Sequence, residues 1–226
     1  MYHKILYLLK KYSYFQLILI AVALFIGPMI PQPTQRFVMA ITFYILVVVC
    51  AFLVNKHSVI YVNVAYTLVG LRLVADILGI PSFSSIEESL LVMFFMWLSV
   101  VLVRQTVHSK IDDDTITTAI IGYLLLAISL SLLMTVIIRE DPTAFTYLGQ
   151  PIPGELRNFS FSNYFVFVTY TTLGYGDVLP VTPLAQTFAK LTSIAGQIYL
   201  TINVAILVGK YINHSNKKED DNSTEA

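Results

Sequence analysis

Cysteine and charge are what this chain of 226 residues has least of. The single cysteine, Cys50, excludes an internal disulfide framework and any cysteine-rich metal site. Charged residues make up 12% of the chain, against roughly 25% in a soluble domain. With 56% hydrophobic residues and a mean hydropathy of +0.72, an ordinary soluble fold is excluded. Disorder is excluded too, since it needs low hydrophobicity and high net charge. The formal net charge is +0, which leaves no basic field to hold nucleic acid. No nucleophile–base set, metal cluster or phosphate loop is visible, so the chain does not read as an enzyme and no cofactor is expected. The four histidines, His3, His57, His108 and His214, have no metal-ligand spacing. What the chain has in abundance is apolar sequence. It reads as an all-α, multi-pass membrane protein surrounded by lipid.

Apolar stretches of about 17 to 25 residues, the length that crosses a bilayer core, recur along the chain. Six are seen, over 14–30, 37–54, 59–80, 89–107, 115–138 and 184–212. A further stretch, 160–172, is shorter. As a helix it is about 18 Å long, too short for a core of about 30 Å. It reads as a re-entrant segment between the last two spans. With the N-terminus inside, Lys4, Lys10, Lys11, Lys56, Arg104, Lys110, Lys210, Lys217 and Lys218 fall on the inner side. Only Arg36, Arg139 and Arg157 fall outside. This positive-inside bias puts both termini in the cytoplasm of a cell-membrane protein. Lys10 and Lys11 before an apolar run with Ala21-Val22-Ala23 imitate a signal peptide. The small-residue motif falls inside the run, so no cleavage is expected. The tail 213–226 is polar and mixed in charge, and is expected to be disordered.

Chemistry concentrates after the short segment, in Thr169-Tyr170-Thr171-Thr172-Leu173-Gly174-Tyr175-Gly176-Asp177. Non-helical backbone at membrane depth is tolerated only where it lines a cavity or is buried in protein. Gly174 and Gly176 alternate with residues that carry a Cβ, and glycine readily takes positive φ. Alternating handedness can turn successive carbonyls to one side. About four such strands around an axis stack rings of oxygens that replace a cation's water shell. The short helix would aim the partial negative charge of its C-terminus at the same point.

This stretch resembles the filter signature of tetrameric potassium channels, T-x-x-T-x-G-Y-G-D, and the resemblance extends over about 111–210. It implies a pore domain over 111–212, with outer helix, pore helix, filter and inner helix. It implies that the carbonyls of Thr172, Leu173, Gly174 and Tyr175, with the Thr172 hydroxyl, coordinate K⁺ as the permeant ion, and that Gly176 completes the coordinating stretch. Asp177 matches the outer-mouth aspartate. Tyr164, Phe165, Thr169 and Thr171 lie on the supporting pore helix. Gly196 falls where the inner helix of many such channels has a hinge glycine. Counting from it, Gln197, Leu200, Thr201, Val204 and Val208 share a face that would line the cavity. Three departures stand out. Leu173 replaces the usual Val or Ile. Tyr164 and Phe165 replace a tryptophan pair whose indole N–H helps hold the filter tyrosine, and Phe165 cannot donate. Val168 replaces a buried Glu found in some members. There is one filter segment and no internal repeat, so the partner is the chain itself, in a homotetramer.

The six-span pattern also resembles the voltage-gated-like architecture, which makes 1–110 a four-helix, sensor-like bundle. Those sensors carry Arg or Lys every third residue on span four. Here that span has Arg104 as its only formal charge. Strong voltage gating is not expected. Arg72 and Asp76, four residues apart on span three, read as an intramembrane ion pair, with a gating charge as the alternative. Asp112, Asp113 and Asp114 read as the N-terminal acids of span five. Tyr and Phe near the span ends fit aromatic belts. The leading reading is a potassium-selective channel passing K⁺ passively. A weakly selective monovalent cation channel and a non-conducting regulatory subunit are the alternatives.

Overall fold

The computed structural model describes residues 17–26, 29–30, 38, 41–42, 45–46, 67, 83–108 and 113–224. Most of predicted span two and all of span three but residue 67 lie outside these residues, as do Arg72, Asp76 and Asp112. Four helices follow one another. They are α1 (Phe83–His108), α2 (Asp113–Glu140), the short α3 (Phe159–Tyr170) and α4 (Pro183–Thr224). Before them, residues 17–26 are helical and close in a π-turn, Val22–Ile26. Among the described residues, two helices are long and apolar enough to cross a membrane, Thr115–Glu140 and Pro183–Ile212.

Several hydroxyl residues of α1 and α2 are satisfied within their own helix. Ser99 donates to the Phe95 carbonyl at 2.8 Å, and Ser129, Ser131 and Thr135 donate to Leu125, Ala127 and Ser131 at the same distance. Each bond runs back one turn, which lets a buried hydroxyl avoid an unpaired donor. Residues 109–112 are all that separates α1 from α2. Such a short link keeps consecutive helices neighbours. Phe95, Leu98 and Leu102 of α1 accordingly share one core with Ile121, Leu125, Ile128 and Leu132 of α2, and with Ile20 and Leu24 of the first segment. A second core lies on the other side of α2, where Leu130, Met134 and Ile138 meet Phe165 and Tyr170 of α3 and Phe188 of α4. Thus α2 is the wall shared by both cores.

Two expectations are corrected. The fold is mostly helical and not all-α, because a small antiparallel sheet, ordered β2-β1-β3, sits between α2 and α4. Its strands are β1 (Phe145–Tyr147), β2 (Gln150–Pro151) and β3 (Val178–Pro180). They are too short for any alternating pattern to register, and their turn lacks the usual residues. Leu148 and Gly149 both take positive φ, +51° and +76°. That is the geometry of a type I′ hairpin, which normally advertises itself as Asn-Gly. The tail is the second correction. The helix α4 continues to Thr224, where the sequence predicts disorder from residue 213. Extending a formed helix needs no new nucleus.

Candidate functional site

The site is built on α3. Asn158 caps it, its side-chain oxygen accepting the Phe161 N–H at 3.1 Å. The helix is 12 residues long and ends at Tyr170. Its last turn is then reused by the strand that follows. The Thr172 N–H donates to the Thr169 carbonyl at 3.1 Å, and the Val168 carbonyl accepts both Leu173 N–H at 2.9 Å and Gly174 N–H at 3.1 Å. The strand therefore leaves directly from the C-terminal, partially negative end of the helix.

Along this strand the backbone alternates in handedness. Thr172, Gly174 and Gly176 have φ of +63°, +59° and +79°, and Leu173 and Tyr175 between them do not take positive φ. Nothing lies within 4 Å of where a Cβ would stand at Gly174 or Gly176. Those glycines are demanded by backbone angle and not by space. Thr172 is the informative member. A β-branched residue at positive φ is a genuine outlier and costs about 1–3 kcal/mol, kept only where the surroundings fix it. Here the two hydrogen bonds to Val168 fix it. A strand of this kind can present a row of carbonyl oxygens to a cation. Leu173 and Tyr175 are 57% and 65% exposed in the single chain, so the whole strand stands open on one side.

The far end of the strand is held by α3 and the sheet. Tyr164 donates to Asp177 Oδ2 at 2.6 Å. Its ring also stacks on Tyr175, with centroids 6.4 Å apart and planes 13° from parallel. Tyr164 lies outside the membrane-spanning helices. Its bond to the Asp177 carboxylate pushes its pKa up to about 12, with desolvation a lesser cause. Phe165 takes a different role from its neighbour: it is buried edge-on against Phe145 of the sheet, with centroids 5.2 Å apart. Thr171 turns its hydroxyl back onto the Phe167 carbonyl, and Thr169 is half-buried.

On α4 the structure separates two faces. Phe188, Thr192, Gly196, Tyr199 and Asn203 are buried. Gln197, Leu200, Thr201, Val204 and Val208 are exposed in the single chain. Exposure does not single these five out, since Leu191, Ile194, Ile198 and Ile202 are exposed as well. Gly196 is a packing glycine in this conformation. A Cβ there would overlap the Tyr170 carbonyl oxygen, and α4 runs through it unbroken.

Three contacts were not foreseen. Tyr170 is fully buried, with its ring 4.7 Å from that of Tyr123, and Tyr123 is 5.8 Å from Tyr199. This cluster ties α2, α3 and α4 together. Buried Asn163 donates from Nδ2 to the Leu24 carbonyl at 3.2 Å, linking α3 to the π-turn of the first segment. Lys210 Nζ donates to the Thr106 carbonyl, joining α4 to the last turn of α1. A polar Asn inside an otherwise apolar helix was the one visible signal among these. Among the described residues, no group of three or more His, Cys, Asp or Glu could hold a metal ion.

A family model described as "Ion channel" matches residues 141–213, which contain α3, the glycine strand and most of α4. The A-type voltage-gated potassium channels KCND3 of Rattus norvegicus, Oryctolagus cuniculus and Homo sapiens are each 29% identical to this chain over 102 residues. The match covers 44% of this chain and 15% of the length of those relatives. No solved structure matches the chain significantly. Residues 141–213, which carry the glycine strand, are thus similar to ion channels, and the relatives that the chain resembles are potassium channels.

Proposed function

We propose that this protein is a potassium-selective channel that passes K⁺ down its electrochemical gradient as a homotetramer. One observation carries the reading: the alternating positive φ at Thr172, Gly174 and Gly176. That alternation has no use in a packed turn, but it aligns carbonyls for a dehydrated cation. In this reading Thr172, Leu173, Gly174, Tyr175 and Gly176 line the ion path, and α3 is a re-entrant pore helix. Four copies close the ring, which also covers the apolar residues that α4 leaves exposed, such as Leu191 and Ile198. The chain is a six-span protein of the cell membrane with both termini in the cytoplasm. Arg104 is the only formal charge within 89–108, so gating by voltage is weak.

Cation flux through purified protein in liposomes tests the proposal. The expected result is K⁺ flux that Na⁺ cannot replace, blocked by Ba²⁺ and lost in Gly176→Ser. Equal K⁺ and Na⁺ flux would support the weakly selective reading, and absence of flux under all conditions would support a regulatory subunit.

A further inference from the structure

We propose that the β1–β2 hairpin is a brace for the exit of the filter, with Leu148 and Gly149 as its positioning residues. The inference rests on the filter reading above but assigns a role to a segment which that reading leaves idle. The ladder between β1 and β3 pairs Phe145 with Pro180, Thr146 with Leu179 and Tyr147 with Val178. It continues one step further, beyond β3. The Leu148 N–H donates to the Asp177 backbone carbonyl at 2.8 Å. Asp177 follows Gly176, the last of the positive-φ residues. The hairpin tip therefore grips the final residue of the alternating strand by its main chain, while Tyr164 grips the same residue by its carboxylate.

Three features show that the grip is rigidly backed. Phe145 at the root of the hairpin is 1% exposed and packs on Phe165 of α3 and Phe188 of α4. The Tyr147 ring stands edge-on to Phe161, with centroids 5.6 Å apart. The turn itself holds Leu148 at +51° although its side chain is 68% exposed and gains little by burial there. An exposed leucine kept at positive φ is an unfavourable choice for a free loop. What the conformation achieves is the aim of its N–H at Asp177.

The test uses the full-length protein in liposomes with two separate readouts. One is the rate at which K⁺ flux is lost after external K⁺ is lowered. The other is amide hydrogen exchange of residues 172–178, which needs no conduction. Gly149→Val puts a β-branched residue at +76°, where the left-handed conformation is disfavoured by about tenfold. It is expected to speed both the loss of flux and the exchange by about that factor, with high K⁺ restoring the flux. Leu148→Asn keeps the N–H and tolerates positive φ, so both rates should stay at or below those of the parent. Should Gly149→Val fail to fold, the α-hydroxy analogue of leucine at position 148 removes the same N–H without touching the side chain, and should speed both rates. Unchanged exchange over 172–178 in these variants overturns the brace, whether or not the parent conducts. A non-conducting parent whose filter amides still loosen in Gly149→Val overturns the channel reading and leaves the brace standing.

Discussion

Tyr164 and Asp177 meet at the C-terminal end of the glycine strand, hydroxyl to carboxylate at 2.6 Å, while the same tyrosine ring lies nearly parallel to Tyr175. One side chain thus holds two residues of the glycine strand, Tyr175 and Asp177. The work is divided between neighbours: Tyr164 holds the strand, and Phe165 packs against Phe145.

Removing that hydroxyl should therefore weaken the filter without unfolding the protein. Tyr164→Phe keeps the stacked ring and loses the donor. The expected outcome is severalfold faster decline of K⁺ current in low external K⁺, measured in planar bilayers. Tyr164→Trp supplies an indole N–H and should recover part of the loss.

The same bond sets an alkaline limit. Tyr164 has its pKa raised to about 12 by the Asp177 carboxylate. A raised value means that the stabilisation is fully present below the ordinary tyrosine pKa of about 10 and fades as pH rises towards the shifted one. Current decline should be flat on this account from neutral pH to about 10. It should accelerate above that point, and this acceleration should be absent in Tyr164→Phe.

Gly196 and Gly209 should respond in opposite ways. A Cβ at Gly196 meets the Tyr170 backbone, whereas one at Gly209 meets nothing within 4 Å. Gly196→Ala is expected to cost about 1–3 kcal/mol through overpacking. Gly209→Ala should be neutral or stabilising, by up to about 1 kcal/mol. Thermal denaturation in detergent, followed by circular dichroism, measures both. A harmless Gly196→Ala would contradict the packing role.

Asn163 should matter more than its place on an apolar helix suggests. Asn163→Leu leaves the Leu24 carbonyl without this donor inside the protein. A lost buried hydrogen bond costs about 1–3 kcal/mol. The predicted consequence is a lower melting temperature, with the first helical segment losing protection in hydrogen exchange before α4 does.

The parts of this protein that sequence made legible are those in which chemistry restricts residue type. Gly174 and Gly176 are nearly the only residues that permit the observed angles, so the strand was visible. The segment 160–172 was visible as too short to span, and α3 occupies it. Helices α2 and α4 cover two of the expected spans. The hairpin was hidden because Leu148 sits where Asn is usual. The Tyr123–Tyr170–Tyr199 cluster was hidden because contact between helices depends on their mutual rotation, which spacing along one helix does not reveal. The helical tail was hidden because polar composition alone cannot register that it grows from a helix already formed.

In the proposed function, the alternating strand selects K⁺. The most direct measurement is the reversal potential of the purified protein in a planar bilayer with K⁺ on one side and Na⁺ on the other. A K⁺-selective strand should give a large potential that follows the K⁺ gradient and collapses in Gly176→Ser. A potential near zero, with sustained current carried by both ions, would contradict it.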